Sequence, residues 1–548
     1  MPGGRRGADT RGRGGPTAGT LDAARPHADQ SLLIEHLHAL QDAKGHITRG
    51  ELRRLGEDLN LPDAGTFEVA TFYHGFRVVE DGAPAPPPLV EVCDSLTCCL
   101  FGGGDALRAE LVRLAGDRAE VKGVACLGRC DQAPAARLLG QGVPRATAAE
   151  LLLRLGAGPE AAPAASGAVV FDDYLAGGGY SLLRACHGGT LDLEGLLTPL
   201  EESGLRGLGG AGFPVGRKWR AVHGQPAPRL MAVNADESEP GTFKDRFHLL
   251  ADPHRVLEGM LLAAWAVGAE AVYFFLRDEY DDVRALLTRE IARLPELGLP
   301  LPPVHLRRGA GNYICGEESA MLESLEGRRG LPRHKPPYPS VRGLFGRPTL
   351  INNVETLYWV RDLVERGPAW FLSHGRQGRQ GLRSFSVSGR VRDPGVKMAP
   401  AGTSAIELIE EFCGGMAEGH VFRAFLPGGA SGGILPAALG HLPLDFGTLE
   451  PHGAMVGSAA LIVLSDRDSV REAAHNLMRF FHHESCGQCT PCRVGTGKAE
   501  RLMAEKRWDA ALLSDLGGCM ADASICGLGQ AAPNAFRSVL RHFPEEVT

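Results

Sequence analysis

Three cysteines at even spacing, Cys486-x2-Cys489-x2-Cys492 within ESCGQCTPCR, are the densest concentration of chemistry in the sequence. Three thiolates on a loop opened by Gly487 and Pro491 can converge on one cluster, and a [4Fe–4S] cubane then needs a distant fourth thiolate. Cys519 and Cys526 are the candidates, and Cys526 is preferred because the glycines beside it in SICGLG let the backbone approach a cluster closely. Four thiolates also suit tetrahedral Zn2+, although zinc usually joins two CxxC knuckles. A second set, Cys93-x4-Cys98 with Cys126-x3-Cys130, delivers thiolates in two pairs from successive strand-to-loop turns. That arrangement suits a [2Fe–2S] cluster, two ligands per iron, with zinc a stronger competitor here than at the first set. Cys99 adjoins Cys98 and leaves the register open by one residue.

Three further segments have the composition of ligand loops. GLRGLGGAGFPVGRKW (204–219) exposes backbone N–H groups that can cradle a phosphate, with Lys218 adding a point charge. It matches neither the Walker A ending nor the Rossmann spacing. VNADESEPGTFKDR (233–246) sets Asp236, Glu237 and Glu239 beside Asn234, and GNYICGEESA (311–320) presents Glu317 and Glu318 after a glycine. Carboxylates in such surroundings can hold ribose hydroxyls, ring N–H groups or a divalent metal, or they are solvated acidic loops. Cys186, Cys413 and Cys99 have no partner at ligand spacing and are expected to be packed thiols, as is Cys315. His482-His483 is expected to be a polar helix end.

The elements that must position these residues follow from periodicity. A tail is expected over 1–30, rich in Arg, Gly and Pro, then a helical bundle over 31–80, with Thr48 and Glu51 framing a capping box. DGAPAPPP (81–88) is a linker. LVEVCD (89–94), DALRAELVRLAG (105–116) and AEVKGVAC (119–126) predict a strand, a helix and a strand in a compact module over 88–157, closed by the linker GAGPEAAPAASG (156–167). A Gly-rich α/β region covers 168–365, a β-rich unit 380–465, and a helical segment 470–548. The apolar run Leu257 to Leu276 is broken by Glu258 and Glu270, so it predicts a buried helix entering a strand and no membrane span. With 548 residues, several domains are expected, and 13 cysteines are too sparse for a disulfide scaffold. The net charge of −7 excludes general nucleic-acid affinity, and the N-terminus lacks a signal peptide's apolar core, so a cytoplasmic protein is expected.

GLGGAGFP, GNYICGEE, KPPYP, NNVETL and SCGQCTPCR, in this order, resemble the flavin-bearing, NADH-oxidising subunit of respiratory complex I and its soluble relatives. The likeness runs from about residue 31 to the C-terminus. Residues 31–157, with FEVATFYHGF and four cysteines, resemble the thioredoxin-like [2Fe–2S] subunit that is usually a separate chain. This fusion, with RGLGGAGFPVGRKW, LPRHKPPYP and LINNVETLYWVRDL, most closely resembles the β subunit of soluble NAD-dependent formate dehydrogenases. The resemblance implies a multidomain α/β and α+β chain, with a helical bundle, a thioredoxin-like domain, a Gly-rich α/β flavin domain, a ubiquitin-like β-grasp insert and a C-terminal helical [4Fe–4S] domain.

It assigns FMN to Gly207, Gly209, Gly210, Lys218, Asn234, Asp236, Glu237, Tyr313, Gly316, Glu317, Asn352 and Asn353. It assigns NAD(H) to Phe213, Lys218, Glu239, Glu318, Lys335 and Tyr338, with Lys218 and Glu318 nearest the reaction. It also implies a partner α subunit carrying a molybdenum or tungsten pterin cofactor and further clusters. Leu208, Tyr338 and Ala221 depart from the complex I branch, which favours arginine, phenylalanine and an aromatic there.

Overall fold

The computed structural model describes residues 30–158 and 167–548. The expected tail, apart from Gln30, and most of the 156–167 linker lie outside the described residues. Helices Leu33–Lys44, Arg49–Asp58 and Asp63–Phe72 form the N-terminal bundle. Thr48 caps the second of them: its hydroxyl accepts from the Glu51 amide while the Glu51 carboxylate accepts from the Thr48 amide at 2.9 Å. Two short strands, β1 (Ile47–Thr48) and β2 (Val78–Val79), pair in parallel beside it.

The next module is a four-stranded sheet in the order β4-β3-β5-β6. Strands β3 (Leu89–Cys93) and β4 (Glu120–Val124) run parallel through the crossover helix Asp105–Ala115, and β5 (Ala136–Leu138) and β6 (Gln141–Val143) are antiparallel additions. Cys93 is the last residue of β3 and Cys126 lies just beyond β4, so the cysteines emerge together from the carboxyl ends of two adjacent strands.

The flavin-type domain is a parallel sheet of β7 (Arg229–Ala235), β8 (Ala269–Leu276), β9 (Val304–Arg308) and β10 (Thr349–Asn353) in the order β10-β7-β8-β9. Alternation along β7 decides what each face meets. Leu230 and Ala232 belong to the same buried core as Leu33 and Leu37 of the bundle and Leu477, Phe481 and Phe536 of the C-terminal helices. Met231 and Val233 pack on the helix Pro253–Val267. That helix and β8 together account for the apolar run Leu257 to Leu276, and among the described residues no helix is long and apolar enough to cross a membrane. Glu258 is fully buried, where it accepts from the Tyr174 hydroxyl at 2.6 Å.

The insert is a mixed sheet of β11 (Leu382–Gly389), β12 (Gly395–Pro400), β13 (Phe422–Leu426), β14 (Leu435–Pro436) and β15 (Ala460–Ser465), ordered β12-β11-β15-β13-β14 with β11 and β15 parallel. Helices Val470–His483, Thr490–Ala504, Ala510–Ala523 and Asn534–His542 complete the chain. Cys186, Cys315 and Cys413 are buried, as packed thiols should be. Cys99 is not: it is exposed at the surface, its thiol donating to the Asp94 carbonyl at 3.2 Å.

Candidate redox and nucleotide-binding sites

The chain order reverses between β7 and β10, and in open parallel sheets ligands bind at such a switch, outside the carboxyl ends of the strands. Asn234 and Asn353 are paired in register at that edge. The Gly-rich loop crosses it between helices Leu193–Glu202 and Val215–His223. Its Leu208 amide donates to Thr356 Oγ1 at 2.9 Å, and Gly207 N donates to the Phe213 carbonyl at 2.8 Å, closing the turn. A Cβ on Gly209 would lie 3.0 Å from the Asn353 side chain, tighter than ordinary contact, so glycine eases the close approach of the loop to β10. Gly210 has φ of +121°, and its missing Cβ faces open space.

Around this edge the acidic loops converge. Asn234 Nδ2 donates to the Gly316 carbonyl at 2.9 Å, tying the 311–317 loop to the end of β7. Asp236 Oδ1 accepts from Ser238 Oγ at 2.6 Å, whereas Oδ2 is buried without a partner among the described residues. Burial pushes the Asp236 carboxyl up to about 7, with Arg277 and Ser238 only partly opposing it. A buried acceptor left open suits the ring N–H of a flavin. Glu239 accepts from Ser431 N and Oγ of the insert, each at 2.7 Å, and from the Tyr313 hydroxyl. Glu317 Oε2 caps helix Glu318–Leu325, accepting from the Ser319 and Ala320 amides at 2.9 Å each, and Glu317 Oε1 accepts from Lys335 Nζ at 2.8 Å. Lys335 also reaches Glu318 at 2.7 Å, and Lys218 lies 3.9 Å from the other Glu318 oxygen. Burial draws the Lys218 ammonium below its ordinary range against the pull of Glu318. Phe213 and Tyr338 stand 54% and 58% exposed on the neighbouring surface, available for stacking on a planar ring.

Three of the expected ligands use their side chains on the protein itself. Glu237 accepts from the Asp245 and Arg246 amides at 2.8 and 3.0 Å and from Tyr280 at 2.9 Å, so its carboxylate caps helix Lys244–Ala251. Asn352 Oδ1 accepts from Trp219 Nε1 at 2.9 Å and fixes the helix that carries Lys218. Asn353 caps helix Val354–Tyr358 and donates to Asp245 at 2.6 Å.

The cysteines gather into two sites. Cys126 Sγ and Cys130 Sγ are 3.4 Å apart, and Cys93 shares sulfur hydrogen bonds with Cys126 and Cys98. Those bonds draw the Cys126 thiol well below its ordinary range and push Cys93 and Cys130 well above theirs. Four buried sulfurs gathered beyond the carboxyl ends of two adjacent strands fit a thiolate-ligated metal centre, with Cys98 rather than exposed Cys99 as the fourth. Cys486, Cys489, Cys492 and Cys526 line one small cavity together with Ile314, Pro332 and Leu528. Cys519 is exposed on helix Ala510–Ala523. Ile314 is the neighbour of Tyr313, so this second site abuts the flavin-type pocket.

The composition and spacing of the sequence did not single out the residues that join the sites. Arg277 donates to the Cys126 carbonyl at 2.6 Å, pairs with Glu279 at 3.0 Å and also reaches the Glu237 carbonyl. Arg246 donates to the Gly128 carbonyl at 3.1 Å and pairs with Asp131 at 2.6 Å. From the insert, Phe446 packs against the guanidinium groups of both Arg206 and Arg383, 4.8 and 4.4 Å from its centroid, and lies against Gly212 of the Gly-rich loop. Lone arginines and a loop phenylalanine carry no local signal of such contacts.

Family models match three stretches: a thioredoxin-like [2Fe-2S] ferredoxin over 21–153, the Nuo51 FMN-binding domain over 200–362, and the NADH-ubiquinone oxidoreductase-F iron-sulfur binding region over 472–548. An NADH-quinone oxidoreductase F-type subunit of Rhizobium meliloti (strain 1021) is 42% identical over 389 residues, covering 68% of this chain and 92% of the relative. The chain belongs to the family of NADH-quinone oxidoreductase F-type subunits. The corresponding protein of Aquifex aeolicus (strain VF5) is 38% identical over 393 residues, 68% of this chain and 90% of that one. A chain in the crystal structure of an NAD+-reducing [NiFe]-hydrogenase in the H2-reduced state superposes with a TM-score of 0.82 at 32% identity, covering 94% of this chain and 92% of its own. This family member therefore carries a [2Fe–2S] domain, an FMN-binding domain and a [4Fe–4S] region in one chain, as the cysteine spacings and the family resemblance led one to expect.

Proposed function

We propose that this chain is the diaphorase subunit of an NAD-dependent formate dehydrogenase, taking electrons from a molybdenum- or tungsten-pterin partner subunit and delivering them to NAD+, reversibly. The observation that carries the diaphorase reading is the convergence of the Gly-rich loop, the unpartnered Asp236 oxygen and the Lys218–Glu318–Lys335 group at one strand edge, with a four-cysteine cavity beside it. FMN, when bound, supplies hydride exchange with NAD(H) and single-electron exchange with iron–sulfur clusters.

Each side chain then has a task. Amides of Gly209 and Gly210 and the Lys218 ammonium take the flavin phosphate end, while Asp236, held by Ser238, accepts from the ring N–H. Asn234 and Asn353 fix the edge on which that ring lies. Phe213 and Tyr338 stack on the adenine, Lys335 neutralises phosphate charge, and Glu318 and Glu239 receive hydroxyl or amide donors of the nucleotide. The Cys486, Cys489, Cys492 and Cys526 site holds the cluster nearest the flavin, and the Cys93, Cys98, Cys126 and Cys130 site lies off the main route. The motifs RGLGGAGFPVGRKW and LINNVETLYWVRDL favour the formate branch.

A second reading, the diaphorase of an NAD-reducing hydrogenase, is favoured by the fold likeness over 94% of this chain. Anaerobic affinity purification of the chain with its native partners, assayed for NAD+ reduction with formate and with hydrogen side by side, separates them. Formate-driven NADH formation alone supports the first reading, and hydrogen-driven activity replaces it with the second.

A further inference from the structure

Beside Cys126 lies a cavity of about 40 Å3, whose walls include Lys122, Cys126, Tyr313, His74, His483 and Glu484. The last three have no part in the proposed electron route. His74 follows helix Asp63–Phe72 in FEVATFYHGF, whereas His483 and Glu484 end helix Val470–His483, just before the cysteine loop. Their donor atoms all lie within 4.8 Å of one another. The imidazole rings stack with centroids 4.4 Å apart and planes 26° from parallel. His483 Nδ1 is 3.0 Å from Glu484 Oε1, and His74 Nε2 is 4.0 Å from Glu484 Oε2. Among the described residues, no hydrogen bond reaches the His74 imidazole. The Glu484 side chain is only 2% exposed and is oriented from behind by the Tyr313 amide, which donates to it at 2.9 Å.

We propose that His74, His483 and Glu484 form a binding site for one first-row divalent cation, with Zn2+ the best match. Two imidazole nitrogens and a carboxylate are the ligand set of zinc sites that keep a fourth position open for water, and the cavity has room for that water. Imidazole ligands disfavour Mg2+ and Ca2+, which take oxygen donors. The Tyr313 amide is the outer support that such a carboxylate requires. Two of the lining cations are already paired, Arg277 with Glu279 at 3.0 Å and Arg137 with Asp278 at 2.6 Å, and Lys122 is the remaining one, without an ion-pair partner among the described residues. The ion would join the N-terminal bundle to the segment that leads into the [4Fe–4S] cysteines, fastening domains that belong to separate chains in relatives lacking the fusion. The site stands whichever partner feeds the flavin.

The test uses the full chain purified anaerobically with its flavin and clusters, passed over chelating resin and titrated with ZnCl2 against a chromophoric chelator. One Zn2+ per chain should bind, and zinc-edge X-ray absorption should find nitrogen and oxygen ligands at about 2.0–2.1 Å and no sulfur near about 2.3 Å. His74→Ala and the size-preserving His74→Gln should each weaken binding by about tenfold or more, with iron content and visible spectrum unchanged. His74 lies outside both cysteine loops, so these variants leave cluster assembly alone. Absence of saturable binding, unchanged affinity in both variants, or sulfur among the zinc ligands would each overturn the assignment.

Discussion

Replacing Asp236 by asparagine should separate two effects that the buried carboxylate combines. The side chain is buried, Ser238 holds one oxygen, and the other has no partner among the described residues. Burial raises its pKa from the ordinary 3.8 to about 7, so the folded chain keeps the proton more tightly than the unfolded chain. Its contribution to stability is therefore fully present below the unfolded value and is lost as pH rises toward 7. Above that pH the buried charge costs about 4 kcal/mol at 1.36 kcal/mol per decade. Asp236→Asn removes this cost, and the deflavinated protein should resist thermal unfolding better at pH 8 while differing little at pH 4. The same change removes a charged acceptor for the flavin N–H, worth about 1.5–3 kcal/mol, which is a ~10–150-fold weaker FMN affinity. The wild-type carboxyl must ionise to accept strongly, so its FMN affinity should fall as pH drops below about 7. The asparagine variant should lack that component, which also controls for ionisation of the FMN phosphate. Flavin-fluorescence titrations from pH 6 to about 8.5 read all of this. Equal FMN affinity in the two proteins at pH 8, or the same pH profile in both, would refute the placement of the flavin ring at Asp236.

Three other perturbations test the rest of the site. Glu318→Gln breaks the contacts to Lys335 and Lys218 while Glu317 still holds Lys335, so about 1 kcal/mol of nucleotide positioning should be lost. The KM for NADH in dye reduction should rise about fivefold with iron and flavin intact. Cys526→Ala should abolish the electron paramagnetic resonance signal of the reduced [4Fe–4S] cluster, whereas Cys519→Ala, at an exposed helical position, should leave it in place. Phe446→Ala removes two guanidinium–ring contacts, each worth about 0.5–2 kcal/mol, and the backing of Gly212. Flavin should leak from that variant on gel filtration, while turnover per bound flavin stays near wild type; full retention would show that the insert does not brace the loop.

What could be read from the sequence was set by local physics. Alternation placed β3, the helix Asp105–Ala115 and β4, and the Thr48–Glu51 pair marked a helix start, because each depends on residues within a few positions. Cysteine spacing brought eight thiols to two sites because a short loop limits where its sulfurs can point. The use of each carboxylate was not legible. Glu237 and Glu317 look like ligands in the sequence, yet both spend oxygens on helix amides, a choice fixed by where helices Lys244–Ala251 and Glu318–Leu325 begin. His74 and Glu484 are 410 positions apart, and only packing of the bundle against the C-terminal helices brings them together. The same holds for the bonds of Arg246 and Arg277 to the cysteine loop, which lies more than a hundred positions upstream.

The burial of the Cys93–Cys130 site also dictates an order of maturation. Cys126 and Cys130 lie 3% exposed against Phe243 of the flavin-type domain, and Arg246 and Arg277 hold their loop from the same side. Of these thiols only Cys126 borders a cavity, so iron and sulfide should reach the site poorly once the two domains have packed, and the N-terminal centre is expected to load before they do. The C-terminal cysteines, three of them half-exposed, remain reachable in the finished fold. Chain produced without iron and then given iron and sulfide under native conditions should regain the C-terminal cluster and remain without the N-terminal one until it is partly unfolded; recovery of both at equal rates would mean that the domains open readily.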